Sequence, residues 1–254
     1  MDLGLDLFKP TRGADIAGNN CGPGCSLDGT YDGNGKSLFF IPEIGYNKML
    51  SSDMSLGVSI YGNGGMNTQY DINPFAAFGS SGAAGINLEQ LFIAPTWAMK
   101  LNPDHSIGVA LNLVYQTFSA TGLQAFASMS SNAAALTNNG KDSSTGVGMR
   151  LGWTGELTPM LTMGATYQPK TKMSKFSKYA GLFAEQGGFD IPATYGLGIS
   201  VKATPATTIA ADYQAIQYGG VPSVANTDTA GGPFGENNGR GFGWTDVKVL
   251  KLSV

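Results

Sequence analysis

The stretch 194–218, TYGLGISVKATPATTIAADYQAIQY, restricts the fold more than any other part of the chain. Tyr195, Leu197, Ile199 and Val201 alternate with Gly196, Gly198, Ser200 and Lys202. After Ala203-Thr204-Pro205-Ala206 the alternation resumes, Ile209, Ala211 and Tyr213 against Thr208, Asp212 and Gln214. Period two puts successive side chains on opposite faces, so this reads as two strands joined by a tight turn. One face is an apolar band ending in Tyr; the other carries Gly, Ser, Thr, Lys and Asp. Lipid outside and a wet or ligand-lined lumen inside ask for that division. A soluble sandwich shows the same pattern in any one hairpin, so repetition decides.

The pattern repeats along the chain. Further strands are predicted at about 2–10, 37–49, 55–70, 88–101, 106–119, 145–156, 160–172 and 242–254. In 106–119, Ile107, Val109, Leu111, Leu113 and Tyr115 face one way, and Ser106, Gly108, Ala110, Asn112 and Gln116 the other. Long connections, at about 17–36, 71–87, 120–144, 173–193 and 219–241, follow the odd strands; short ones follow the even strands. The apolar faces close on aromatics at Trp97, Tyr115, Trp153, Tyr167 and Tyr195. A soluble domain has no reason to sort its loops by parity, whereas an outer-membrane barrel has short turns at one rim, long loops at the other and aromatic girdles. The reading is an all-β, antiparallel up-and-down transmembrane barrel, with residues 1–254 as a single domain.

Composition agrees. Charged residues make up 13% of the chain against about 25% in soluble domains, yet mean hydropathy is only −0.03. The apolar residues are therefore dispersed: no run of roughly 18 exists, which excludes a helical membrane protein. A net charge of −3 leaves no basic patch for nucleic acid. The chain opens on strand-like MDLGLDLF without the features of a secretory leader, and so reads as mature or as a fragment. Cys21 and Cys25, four residues apart in a Gly/Asn/Asp-rich loop, suit a local disulfide better than a metal site, since two thiols without a nearby His supply too few ligands.

The segments YGLGISVKATPATTIAADYQAIQY, KYAGLFAEQGGFDIPA, FFIPEIGYNKML and NGRGFGWTDVKVLKLSV resemble the outer-membrane family of long-chain fatty-acid and aromatic-hydrocarbon transporters (FadL/TodX-type) across essentially the whole chain. The resemblance implies a barrel of about fourteen strands plugged by an N-terminal hatch. It also implies passive uptake of hydrophobic compounds, captured at outer loops and released sideways into the membrane where the third strand is kinked. About ten strands are counted here, with no hatch before Asp2 and no closing strands after Val254. The chain is therefore expected to be an internal fragment, forming an open curved sheet or a strained smaller barrel. The resemblance implies fatty acids or aromatic hydrocarbons and outer-membrane lipid as partners; no cofactor or metal is expected.

Candidate residues follow. Gly62, Asn63, Gly64 and Gly65 interrupt the third predicted strand, as the lateral exit or as an ordinary bulge. Pro42 interrupts the strand before it. Phe75, Phe78, Leu123, Phe126 and Met129 lie in the second and third long loops and Phe183 in the fourth; they line an apolar capture groove or pack the loops together. Arg150 faces the lumen among glycines, either to hold a ligand carboxylate or to pair with Asp212 or another lumen acid. His105, the single histidine, falls in a short turn away from the lumen, which leaves no Ser–His catalytic pair. A surface adhesion or structural barrel that binds partners through its loops is the alternative function; a polar porin would need a lumen lined with charge.

Overall fold

The computed structural model describes residues 1–19, 21–22, 25–229 and 231–254. Residues 20, 23, 24 and 230, within the predicted loops 17–36 and 219–241, lie outside the described residues. The first strand is β1 (Asp2–Phe8); β2 (Gly13–Ile16) and β3 (Gly29–Asp32) form a separate small hairpin after it. Then come β4 (Phe39–Met49), β5 (Met54–Tyr70), β6 (Ala84–Lys100), β7 (His105–Thr121), β8 (Asp142–Thr158), β9 (Leu161–Gln168), β10 (Thr194–Thr204), β11 (Thr207–Ile216) and β12 (Val247–Ser253). Ten strands, all but β2 and β3, make one antiparallel sheet in chain order. Among the described residues β1 and β12 are not paired, so the sheet is open.

Sequence periodicity sets the two faces. In β7, Val109, Leu111, Leu113 and Tyr115 are exposed, while Ala110, Asn112, Val114 and Gln116 are buried. In β10, Tyr195, Leu197 and Ile199 are exposed in the same way. The row continues through Val147, Met149 and Leu151 of β8 and Leu3, Leu5 and Leu7 of β1. An apolar surface this large is at home in lipid, not water. Aromatics bound it. Tyr115, Tyr167 and Tyr195 lie toward the long connections; Trp97 and Trp153 lie toward the short ones. Tyr115 pairs with Thr145, and Trp153 is eight residues further along β8, about 26 Å along a strand. Allowing for strand tilt, that suits an apolar band of about 25 Å.

Over β6 to β8 the inner face is covered by the chain itself. Residues 169–193, between β9 and β10, fold against β8: Ser174 N donates to Thr145 O (2.8 Å), and Thr171 and Ile191 exchange backbone hydrogen bonds (3.0 Å each). Gly146 and Gly148 make this contact possible, because a Cβ at either would collide with Met173 or Thr171. Phe176, Tyr179, Phe183 and Phe189 from this segment join Leu88, Phe118, Val221 and Val224 in one buried cluster. Phe92, Val114, Met173 and Ile191 form a second, with Tyr61 against it. The Ala-rich part of 120–144 forms the short helical turns Gln124–Met129 and Ala133–Ala135.

Candidate functional site

The wall of the sheet is interrupted in one place. β4 pairs with β5 only from Ile44↔Ile60 to Met49↔Ser55. Beyond that, Phe39 to Glu43 pair with β1 alone, and from Tyr61 to Thr68 β5 pairs only with β6. Both sequence interruptions lie here. Continuing the lower register would set Pro42, which has no N–H to give, opposite Gly62. Asn63 is the extra residue of a bulge: Gly62 pairs with Leu91 and Gly64 with Gln90. A bulge bends its strand and raises the local twist, which carries β5 away from β4.

The gap is framed on both sides. Below, the ladder closes at Ile44↔Ile60. Above, Gly35 N donates to Gln69 O (3.1 Å) and Gln69 N to Gly33 O (3.2 Å), tying the chain ahead of β4 to the end of β5. Arg12 strengthens that upper edge: its guanidinium donates to the backbone carbonyls of Asn67 and Lys36, and it sits 5.6 Å from the Phe39 ring centroid. Between the edges lies a cavity of about 750 Å³. Phe8, Phe39, Phe40 and Ile41 line one side, Gly62 to Asn67 the other. Leu91 and Tyr115 from the lipid face and Gln90 from the inner face share this lining, so the cavity meets both sides of the wall.

The loop candidates divide into two groups. Phe75 meets Phe126 edge-on (4.8 Å between centroids), and Phe126 meets Phe234 (6.0 Å). Phe234 N donates to Met129 O (2.8 Å), and Leu123 packs on the main buried cluster. Phe75, Leu123, Phe126 and Met129 are thus gathered where three long connections meet, with Phe78 exposed beside them. Phe183 belongs to the other group: it is 3% exposed, 4.6 Å from Phe118 and 5.0 Å from Phe189, and leaves no open face. Phe234 escaped sequence reading because its partners lie about a hundred residues away.

Arg150 donates to Gln168 Oε1 (2.8 Å), which also accepts from Asn112 Nδ2 (3.1 Å). Asp212 is not its partner: it lies on β11, three strands from β8, and pairs in register with Lys251 and Gly198. Among the described residues Arg150 makes no ion pair; the lumen-side pair is Lys170–Asp190 (3.5 Å). Asn112 Oδ1 and Thr171 Oγ1, both buried, have no hydrogen-bond partner among the described residues. Cys21 and Cys25 are joined by a disulfide in the β2–β3 connection. His105 opens β7 and stacks on Trp153 (5.7 Å) near the short-turn rim. Burial raises the phenol pKa of Tyr179 and of Tyr218.

The two-faced antiparallel sheet and its aromatic belts define a membrane β-barrel fold. The family model described as outer membrane protein transport protein (OMPP1/FadL/TodX) matches residues 27–218, and the chain belongs to that family of the outer membrane. Its members are transport channels rather than enzymes. Among solved structures, the Ralstonia pickettii toluene transporter TbuX is 20% identical with a TM-score of 0.64, over 98% of this chain and 71% of that one. The P. putida toluene transporter TodX is 18% identical with a TM-score of 0.62, over 87% and 62%. A Pseudomonas aeruginosa FadL homologue is 18% identical with a TM-score of 0.56, over 85% and 59%. These likenesses speak to fold. The chain spans about 60 to 70% of the length of these relatives. No curated protein matches the sequence.

Proposed function

We propose that this protein carries hydrophobic compounds, long-chain fatty acids or aromatic hydrocarbons, passively across the outer membrane. Ligand is first held at the apolar loop residues Phe75, Phe126 and Met129, with Phe78 exposed to meet it. It leaves sideways through the gap between β4 and β5. One observation carries this reading: the ladder stops at Ile44↔Ile60, and an aromatic-lined cavity of about 750 Å³ opens where it stops. Unpaired backbone inside a bilayer costs several kcal/mol per group, so a barrel has reason to avoid such a gap unless it serves a purpose. Apolar walls with a few polar groups suit a hydrophobic ligand.

The family to which the chain belongs transports hydrocarbons and fatty acids, and TbuX and TodX are described as toluene transporters, which supports the same class of ligand here. Deleting Asn63 removes the bulge residue and restores an unbroken β5–β6 register. The expected result, in the full-length protein, is uptake of labelled oleate or toluene lowered at least about tenfold, with the barrel still folded by heat-modifiable gel mobility. Unchanged uptake in the folded variant would point instead to a barrel whose loops bind a partner.

A further inference from the structure

We infer that Arg12 is a specificity-determining residue of the β4–β5 gap, favouring carboxylate-bearing amphiphiles over neutral hydrocarbons. The inference rests on the transport reading above. Arg12 is the one cationic side chain among the residues that line the cavity. Its neighbours there include Phe8, Phe39, Phe40 and Ile41, the surface an alkyl chain would occupy. Its side chain donates to two neutral carbonyls, Asn67 O and Lys36 O, and among the described residues no carboxylate pairs with it. Its Nε is buried and has no hydrogen-bond partner among the described residues.

Buried donors are ordinarily satisfied, so the unpartnered Nε marks a place where an acceptor from outside the chain gains a hydrogen bond. A guanidinium presents a planar fork that binds a carboxylate through two parallel, charge-assisted hydrogen bonds, stronger than bonds to neutral carbonyls. Glu89 also lines the cavity and would repel an anion, but its carboxylate is engaged by Asn87, Thr117 and Lys141, the last at 3.1 Å. Arg12 therefore supplies the cavity's positive charge. A departing carboxylate exchanges into its fork while the tail lies along Phe39 and Phe40; toluene gains nothing from the charge.

The test compares oleate and toluene uptake by the full-length protein in proteoliposomes, as wild type, Arg12→Gln and Arg12→Lys. Arg12→Gln should lower oleate uptake about tenfold and leave toluene uptake within about twofold, while Arg12→Lys, which keeps the charge but not the fork, should give an intermediate oleate preference. Equal loss of both ligands in Arg12→Gln would show a structural latch and overturn the inference, as would no loss of either. If Arg12→Gln does not fold, Arg12→Lys decides alone: an equal change in oleate and toluene uptake, or no change in either, overturns it. Wild-type uptake of neither ligand above empty vesicles is a different failure, since it removes the transport reading and this inference with it.

Discussion

The β7–β8 wall and the β4–β5 wall are built from the same materials and end in opposite states. Both carry glycines where a barrel strand ordinarily has side chains: Gly146 and Gly148 on β8, Gly62, Gly64 and Gly65 on β5. Against β8 the space is taken by Thr171 and Met173, the ladder from His105↔Gly155 to Phe118↔Asp142 is unbroken, and the surface behind it is sealed. Against β5 a Cβ would come no nearer than 3.0 Å to Ile41 at Gly62 or Leu88 O at Gly65, and 3.2 Å to Gln90 Oε1 at Gly64, the ladder to β4 is missing, and a cavity fills the place. The difference teaches that glycine in a barrel strand does not by itself make an opening. It makes room, and what the chain brings to that room decides between a seal and a gap.

The largest effect that would break this contrast is on the sealed side. Gly148→Leu forces a side chain into the place of Thr171. Overpacking of this kind costs about 1–3 kcal/mol, and here it should dislodge 169–193 from β8. Faster limited proteolysis within that segment is the readout. Gly64→Leu, with little to collide with, should cost less than about 1 kcal/mol and leave proteolysis unchanged while it narrows the cavity. Equal destabilisation by the two substitutions would contradict the distinction.

A smaller effect sharpens the same comparison by pH. Tyr179 donates to Gly140 O (2.6 Å) and accepts from Ala120 N (3.0 Å), and burial raises its pKa above the ordinary value of about 10. The folded state then holds the phenolic proton more tightly than the unfolded chain does. The stability this contributes is fully present below the unfolded pKa and is lost as pH rises through the folded one. Protection of the 169–193 segment should therefore fall above about pH 10, and Tyr179→Phe should flatten that fall. The β4–β5 gap has no such dependence on Tyr179.

Much of this architecture was legible in the sequence, for a physical reason: a membrane strand must alternate, so 106–119 and 194–218 declare their faces locally. The breaks at Pro42 and at Gly62 to Gly65 were visible for the same reason. Their meeting was not, because it depends on the β4–β5 register. The β2–β3 hairpin was also missed; its four-residue strands lie within polar sequence that reads as loop. Segment 169–193 gave no local sign of folding inward, since Gly146 and Gly148 alternate like any lumen positions. Arg12 was silent for a related reason: its carbonyl partners are 24 and 55 residues away, and a carbonyl partner leaves no trace in residue type.

The central claim, that ligand leaves between β4 and β5, is most directly tested by closing that gap reversibly. A Cβ at Gly62 would lie 3.0 Å from Ile41 Cγ2, within reach of a disulfide between Ile41→Cys and Gly62→Cys. Oleate and toluene uptake would be measured with the pair oxidised and then reduced, using each single substitution as the control for reduction of Cys21–Cys25. The account predicts uptake lost on oxidation and restored on reduction in the double variant alone. Uptake that continues undiminished through the locked wall would contradict it.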